Sequence, residues 1–365
     1  MKLSVIILNY NVRHFLELCI KSVEAALIHI DSEIIVIDNL SEDDSCDMVK
    51  RQFPEVKLIE NSKNYGFSKG NNIAVKQAKG EYLCILNPDT VVAEDTFEML
   101  LNFSEAYKNL GILGCKLVDG QGRFLPESKR YVPTPKVALK KMLGFSDSYY
   151  VKELNETDVG VIPVLVGAFM LLKKSIYDEV SGFDEDYFMY GEDVDLSYKV
   201  GELGYDNMYN GKTTVIHYKG ESTLKDKVYA KRFYGAMQIF YKKHFKSSAL
   251  FSLMVWFGVR FATWFQKSTL EIKSNPKSFV FVSEEKNKAL EKVLKTTLEL
   301  QLEWGGYQND TEYIFDNNYL SFKSIIEIIT NTPKNCSTTF KILPKNSNFI
   351  IGSNSSKSRG EVITF

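Results

Sequence analysis

The chain has 365 residues, 44% of them hydrophobic and 25% charged, enough for one large core or two, which excludes a disulfide-stapled miniprotein and a disordered tail. Its 45 lysines and arginines against 46 acids leave a formal charge of −1, so no global field favours nucleic acid and no such partner is expected. Five scattered cysteines, Cys19, Cys46, Cys84, Cys115 and Cys336, include no CxxC pair and point to a reducing compartment rather than a zinc or redox centre.

Residues 3–8 form an apolar run rich in β-branched side chains. It is too short for a signal peptide and lacks a small-residue cleavage site, so a cytosolic protein is expected. A helical pattern follows over roughly 13–28, and Glu33-Ile34-Ile35-Val36-Ile37-Asp38 is a second apolar run that ends on a carboxylate. Leu58 to Asn61 predicts a short third strand, Lys69 to Ala78 a helix, and Tyr82 to Leu86 a fourth strand that stops at Asn87-Pro88-Asp89. Strands that are apolar throughout and alternate with helices predict an α/β fold, a mainly parallel sheet covered on both faces. Ligands of such sheets bind beyond the carboxyl ends of the strands, where Asn9, Asp38, Asn61 and Asp89 fall.

Pro126, Pro133 and Pro135 mark an irregular excursion over 119–160. Val161 to Leu172 is strand-like, and Gly182 to Gly204 holds a helix opened by acids. From Lys225 to Lys246, seven basic residues against one acid alternate with Tyr229, Phe233, Tyr234, Phe240, Tyr241 and Phe245. In 247–265, Leu250, Met254, Phe257, Phe261 and Phe265 share one helical face with Arg260 opposite; an interfacial membrane helix and packing on the protein's own core are the two readings. After a linker near Pro276, strands at 278–282, 313–316, 339–343 and 349–352, with helices near 284–302 and 321–331, predict a small second α/β unit. The expected division is 1–245, 246–276 and 277–365.

Three clusters carry chemistry. Asp38-Asn39, Asn61 and the stretch Asn64 to Asn72 offer amides and close backbone approach suited to a base and ribose, although Asp38 and the glycines also suit plain turn geometry. In Leu86-Asn87-Pro88-Asp89, the proline fixes a turn that can aim Asp89 at a divalent ion on a diphosphate, or leave it stabilising its own turn. Six carboxylates lie between Asp184 and Asp195 among Phe183, Tyr187, Phe188 and Tyr190; partial desolvation would raise a pKa usefully for a general base, while some of these acids must cap turns. His217 ends another strand and gains weight only as a partner for Asp89.

In this order the elements resemble the family-2 glycosyltransferases, in particular the bacterial rhamnosyltransferase-like group that builds cell-surface polysaccharides. The matching motifs are Val5 to Asn11, Val36-Ile37-Asp38-Asn39, Asn64-Tyr65-Gly66-Phe67, Leu86-Asn87-Pro88-Asp89, Gly167-Ala168-Phe169-Met170, Gly182-Phe183-Asp184-Glu185, Gly191 to Leu196 and His217-Tyr218-Lys219-Gly220. The resemblance covers roughly 1–245. It implies a GT-A fold, a nucleotide-diphosphate sugar donor such as dTDP-rhamnose, a Mg²⁺ or Mn²⁺ ion, inverting transfer, and a glycan or lipid-linked acceptor at the inner face of the cell membrane. By carry-over, Asn9, Asp38, Asn39, Asn64, Asn71 and Asn87 would form the nucleotide pocket and Asp89 with His217 would hold the metal. Asp193 would be the general base with Glu192 beside it, and Gly167, Ala168 and Asp195 would wall the acceptor side. Two departures stand out: Asn87 replaces the first acid of the DxD motif, and Leu40 occupies a position where the family usually has a small polar residue. The competing classes are a sugar nucleotidyltransferase, for which no glycine-rich phosphate loop with paired basic residues lies near residue 10, and a nucleotide-sugar-binding scaffold without transfer activity.

Overall fold

The computed structural model describes residues 1–134, 137, 149–219, 227–245, 276–355 and 360–365. Strand β1 (Leu3–Asn9) lies between β2 (Ser32–Asp38) and β4 (Tyr82–Leu86), with β3 (Lys57–Glu60) beyond β2, and all four run parallel. Every residue of β1 is buried because alternate side chains enter different cores. Leu3, Val5 and Ile7 pack with α1 (Arg13–Leu27), α2 (Ser45–Gln52) and α4 (Thr96–Ala106). Ile6 and Leu8 pack with α3 (Gly66–Val75) and the helices Lys174–Glu179 and Glu192–Glu202. Helix α1 is where its spacing predicts it, with Leu16, Cys19, Ile20, Val23 and Ala26 buried at three- and four-residue intervals.

The expected α/β class is observed, but the sheet is more mixed than a run of parallel strands. Strand β8 (Phe169–Lys173) inserts antiparallel between β4 and β6 (Leu110–Val118). Strand β9 (Asp206–His217) runs parallel to β6 and pairs antiparallel with β5 (Thr90–Val91) and β7 (Val159–Val161). The stretch 161–172 is therefore two strands, β7 and β8, with a connecting segment between them. The sequence reading assigned nothing to β6, whose Gly111 and Gly114 weaken its strand signature. The structure uses both for close approach: a Cβ on Gly111 would stand 2.5 Å from Val200, and one on Gly114 2.3 Å from Leu165.

A second sheet, ordered β11-β10-β12-β13-β14-β15, holds β10 (Ser278–Val282), β11 (Glu299–Gln301), β12 (Thr311–Asp316) and β13 (Thr339–Leu343) in parallel, then β14 (Phe349–Gly352) and β15 (Glu361–Thr364) antiparallel. The helix expected over 284–302 is only Lys288–Leu294, because left-handed Lys295 closes it and the chain continues into β11. The one expected near 321–331 is Phe322–Thr330, its first turn capped by Ser321. The amphipathic segment 247–265 lies outside the described residues. Among the described residues no helix is long and apolar enough to cross a membrane.

The two sheets share one core. Val12, Phe15, Leu18, Val91, Val118, Ile216 and Tyr218 form a single buried cluster with Val280, Tyr313, Phe322, Ile325 and Phe340. Glu94 accepts hydrogen bonds from the amides of Phe322 and Lys323, both at 2.7 Å. Each apolar side chain uncovered here would cost about 1.5–3 kcal/mol. Deleting residues 277–365 should therefore give a chain without a cooperative melting transition; a soluble, cooperatively melting truncation would contradict this packing.

Candidate active site

Because β1 and β2 are parallel and in register, Asn9 and Asp38 end side by side. Asn9 Nδ2 donates to Asp38 Oδ1 at 2.7 Å, and both residues are buried. Left-handed Leu40 turns the chain back so that Ser41 donates to Asp38 from its amide (2.8 Å) and its hydroxyl (2.6 Å). Asn39 ties the neighbouring loops together, donating to the Gly66 carbonyl at 3.0 Å and accepting from Asn61 at 2.9 Å. Asn64 accepts from the Gly66 amide at 2.9 Å, and buried Asn71 donates to the Phe67 carbonyl at 2.9 Å.

The Asp89 and His217 side chains meet because β5 pairs with the end of β9, placing Thr90 opposite His217. Their closest approach, Nε2 to Oδ1, is 3.3 Å, and Asn87 Nδ2 lies 3.4 Å from the same ring nitrogen. The Tyr218 amide donates to the Asp89 carbonyl at 3.0 Å, closing the corner. The shared core lies directly behind it, since Val91, Ile216 and Tyr218 belong to the cluster that joins the two sheets.

The acidic stretch forms a loop and the first turn of the helix Glu192–Glu202, entered through left-handed Tyr190 and Gly191. Asp193 Oδ2 accepts from Arg130 Nη2 at 2.6 Å and from the Gly167 amide at 3.1 Å. Glu192 is buried beside it, and desolvation, then the Asp193 charge, push its carboxyl up to about 8. Asp195 faces away: its carboxylate meets His244 Nε2 at 2.6 Å and Lys199 at 3.2 Å, anchoring the end of the helix Lys227–His244. Asp184 and Asp186 are likewise occupied, both by Lys243.

Asn39, Asn64, Gly66, Asn87, Gly167, Ala168, Glu192, Asp193 and His217 line one cavity of about 180 Å³, room for a sugar ring rather than a whole nucleotide sugar. Asn9, Asp38, Asn71, Asp89 and Asp195 are not among its lining residues; Asn9, Asn71 and Asp89 brace lining Asn39, Phe67 and His217, whereas the Asp38 and Asp195 side chains bond to residues outside the lining. Two residues with structural weight were not singled out by the sequence reading. Arg130 sits in the proline-marked excursion, where nothing in the sequence signals that its charge is buried. Asn72 clamps the acidic loop, donating to the Phe183 carbonyl at 2.8 Å and accepting from its amide at 3.1 Å; its place in the run Gly70-Asn71-Asn72 was the only signal.

Residues 4–181 match the sequence model of glycosyl transferase family 2. The chain is 27% identical over 213 residues to an N-acetylglucosaminyl-diphospho-decaprenol L-rhamnosyltransferase of Mycobacterium tuberculosis, covering 53% of this chain and 68% of that one. It is 31% identical over 162 residues to the rhamnosyltransferase WbbL of Escherichia coli, covering 42% and 61%. A mannosyltransferase of Pyrobaculum calidifontis, solved with GDP-Man and Mn²⁺, aligns at a TM-score of 0.47 and 17% identity over 72% of this chain and 69% of that one.

Proposed function

We propose that this protein, whose residues 4–181 match the glycosyl transferase family 2 model, is a glycosyltransferase that moves a sugar, rhamnose first among candidates, from a nucleotide-diphosphate donor to a lipid-linked or polysaccharide acceptor. The observation that carries this reading is the single cavity in which Asn39, Asn64, Asn87 and His217 meet the acid pair Glu192–Asp193. The names of the mycobacterial and Escherichia coli relatives support rhamnose, and that of the mycobacterial one a diphosphate-linked lipid acceptor.

In this reading the nucleotide lies across the ends of β1 to β3, over a floor stiffened by the Asn9–Asp38–Ser41 network. The residues at the β5–β9 corner suit a divalent cation. Among the described residues no three His, Cys, Asp or Glu side chains gather, so Asp89 and His217 would supply two ligands and the diphosphate and water the rest. A bound Mg²⁺ or Mn²⁺ would neutralise charge on the departing diphosphate. The acid pair takes the proton of the acceptor hydroxyl on the opposite side of the anomeric carbon, so transfer is a single inverting displacement. Phe240 and Tyr241 of the helix Lys227–His244 are buried against Tyr187 and Val194, so it is the basic residues of this stretch, with the amphipathic sequence 247–265 after them, that suit peripheral contact with the inner membrane face.

The test is incubation with dTDP-rhamnose, UDP-sugars and GDP-sugars, Mn²⁺, and N-acetylglucosamine linked through a diphosphate to a polyprenol. One donor should be consumed with release of its nucleoside diphosphate and formation of a glycosylated lipid. Pyrophosphate release from a nucleoside triphosphate, or no turnover with any donor, would refute the reading.

A further inference from the structure

We propose that the cavity between α1 and the carboxyl edge of the second sheet is a second binding site, built for a neutral oligosaccharide and separate from the catalytic cavity. The choice of ligand stands on the lining of this cavity; that the saccharide is a distal part of the glycan acceptor rests on the glycosyl-transfer reading above.

This cavity measures about 690 Å³, against about 180 Å³ for the catalytic one, so it has room for several sugar rings. The catalytic unit supplies Glu24 on the last turns of α1, Ile28 just after them, and Gln52 at the end of α2. The second unit supplies Asn317 to Tyr319, which follow β12, and Lys345 with Asn346, which follow β13. Parallel strands leave their ligand sites beyond their carboxyl ends, and it is that edge of the second sheet which meets α1. Helix α1 begins at Arg13, beside the catalytic edge of the large sheet, and a rise of about 1.5 Å per residue puts Ile28 on the order of 20 Å away.

The lining decides against a phosphate or any other anion. The Phe322 and Lys323 amides at the start of the helix Phe322–Thr330 are already filled by Glu94, and the Ser324 amide by Ser321. No glycine-rich turn follows β10, where the chain reads Ser283-Glu284-Glu285. Lys21 has its donors taken by Glu17, the Lys345 carbonyl and Ser347. Two acids, Glu24 and Glu94, offset two lysines, Lys21 and Lys345, so the lining carries no formal charge. An apolar tail fits no better, because it would strand the carboxylate and the amides without water or partner.

What stays open is the chemistry that recognises hydroxyls. The Glu24 carboxylate, the Lys345 ammonium and the Asn346 amide make no hydrogen bond among the described residues, and Gln52 uses only its Nε2, on Glu17 at 3.4 Å. Together they offer both donors and acceptors, as a hydroxyl needs. Tyr319 adds a flat apolar face: its hydroxyl is fixed on the Leu302 carbonyl at 2.7 Å while the residue is 42% exposed. A ring held by its own hydroxyl gives the C–H face of a sugar a surface to rest on with little left to order.

The test is calorimetric titration of the full chain, without sugar donor, with neutral trisaccharides of N-acetylglucosamine, rhamnose and glucose, and with pyrophosphate and farnesol as anionic and apolar probes. At least one trisaccharide should bind saturably, and should still bind when a nucleoside diphosphate and Mn²⁺ are in excess. Tyr319→Ala and Glu24→Gln should each weaken that binding about tenfold, the scale of one stacked ring or one hydrogen bond to a charged group. Tyr319→Phe, which keeps the ring, should bind as wild type does, and melting curves control for folding. No binding of any trisaccharide, equal affinity in all variants, or displacement of the trisaccharide by farnesol, pyrophosphate or the nucleoside diphosphate would overturn the proposal.

Turnover gives a second readout. On a glycan acceptor long enough to reach from one cavity to the other, Tyr319→Ala should raise KM about tenfold at unchanged kcat; on a single lipid-linked sugar it should change neither. Equal KM for wild type and variant on both acceptors would overturn the assignment of this site to the acceptor. A wild type inactive on every donor would instead strike at the glycosyl-transfer reading, and the titration result would stand.

Discussion

Replacing Asp89 by alanine should lower kcat by about 10²–10³-fold, the scale of losing one charge-stabilising group at a reacting centre. Asp89 is the carboxylate beside His217, and Asn87, where the first acid of a DxD motif would stand, is neutral. With Asp89 gone, His217 alone would face the diphosphate with whatever cation it carries. The fold should survive, because the Asp89 carbonyl bond to the Tyr218 amide and the Thr90–His217 pairing do not involve the side chain. Initial rates over a range of Mn²⁺ concentrations, with melting curves as control, check this: lost rate and weakened Mn²⁺ response at wild-type stability is the expected result.

Gly66→Ala should damage fold and site together. Gly66 has φ +78°, and a Cβ there would stand 2.2 Å from the Phe188 carbonyl oxygen, which accepts from the Phe67 amide at 2.7 Å. Left-handed backbone costs a residue with a Cβ about 1–2 kcal/mol before any clash is counted. Relieving the clash would part α3 from the acidic loop and disturb the Asn39 bond to the Gly66 carbonyl. The expected outcome is a melting temperature several degrees lower and donor affinity at least tenfold weaker; a variant equal to wild type in both would show that this contact is not essential.

Much of the site was legible because parallel strands announce their own ends. An apolar run that stops on Asn9, Asp38 or Asp89 marks the carboxyl edge of a sheet, where clefts form. A cluster of acids ahead of a helical stretch likewise placed Glu192 and Asp193 near the opening of a helix. What strand ends cannot reveal is which polar groups face the cavity and which do not: Asp38 is tied to Ser41 and Asp195 to His244, and neither acid lines it. Arg130 was hidden because burial of a single arginine depends on a partner 63 residues away. The antiparallel insertion of β8 and the core shared between Phe15, Ile216 and Phe322 depend on long-range pairing that no local periodicity encodes.

The most direct measurement is calorimetric titration of a nucleoside diphosphate into the full chain with and without Mn²⁺, repeated on Asp89→Ala and His217→Ala. If the cavity on which Asn87, His217 and the acid-bearing helix converge is the proposed donor site, with Asp89 beside His217, Mn²⁺ should tighten wild-type binding at least tenfold and both variants should lose the gain. Binding of equal strength in all three proteins, whether or not the cation is present, would contradict it.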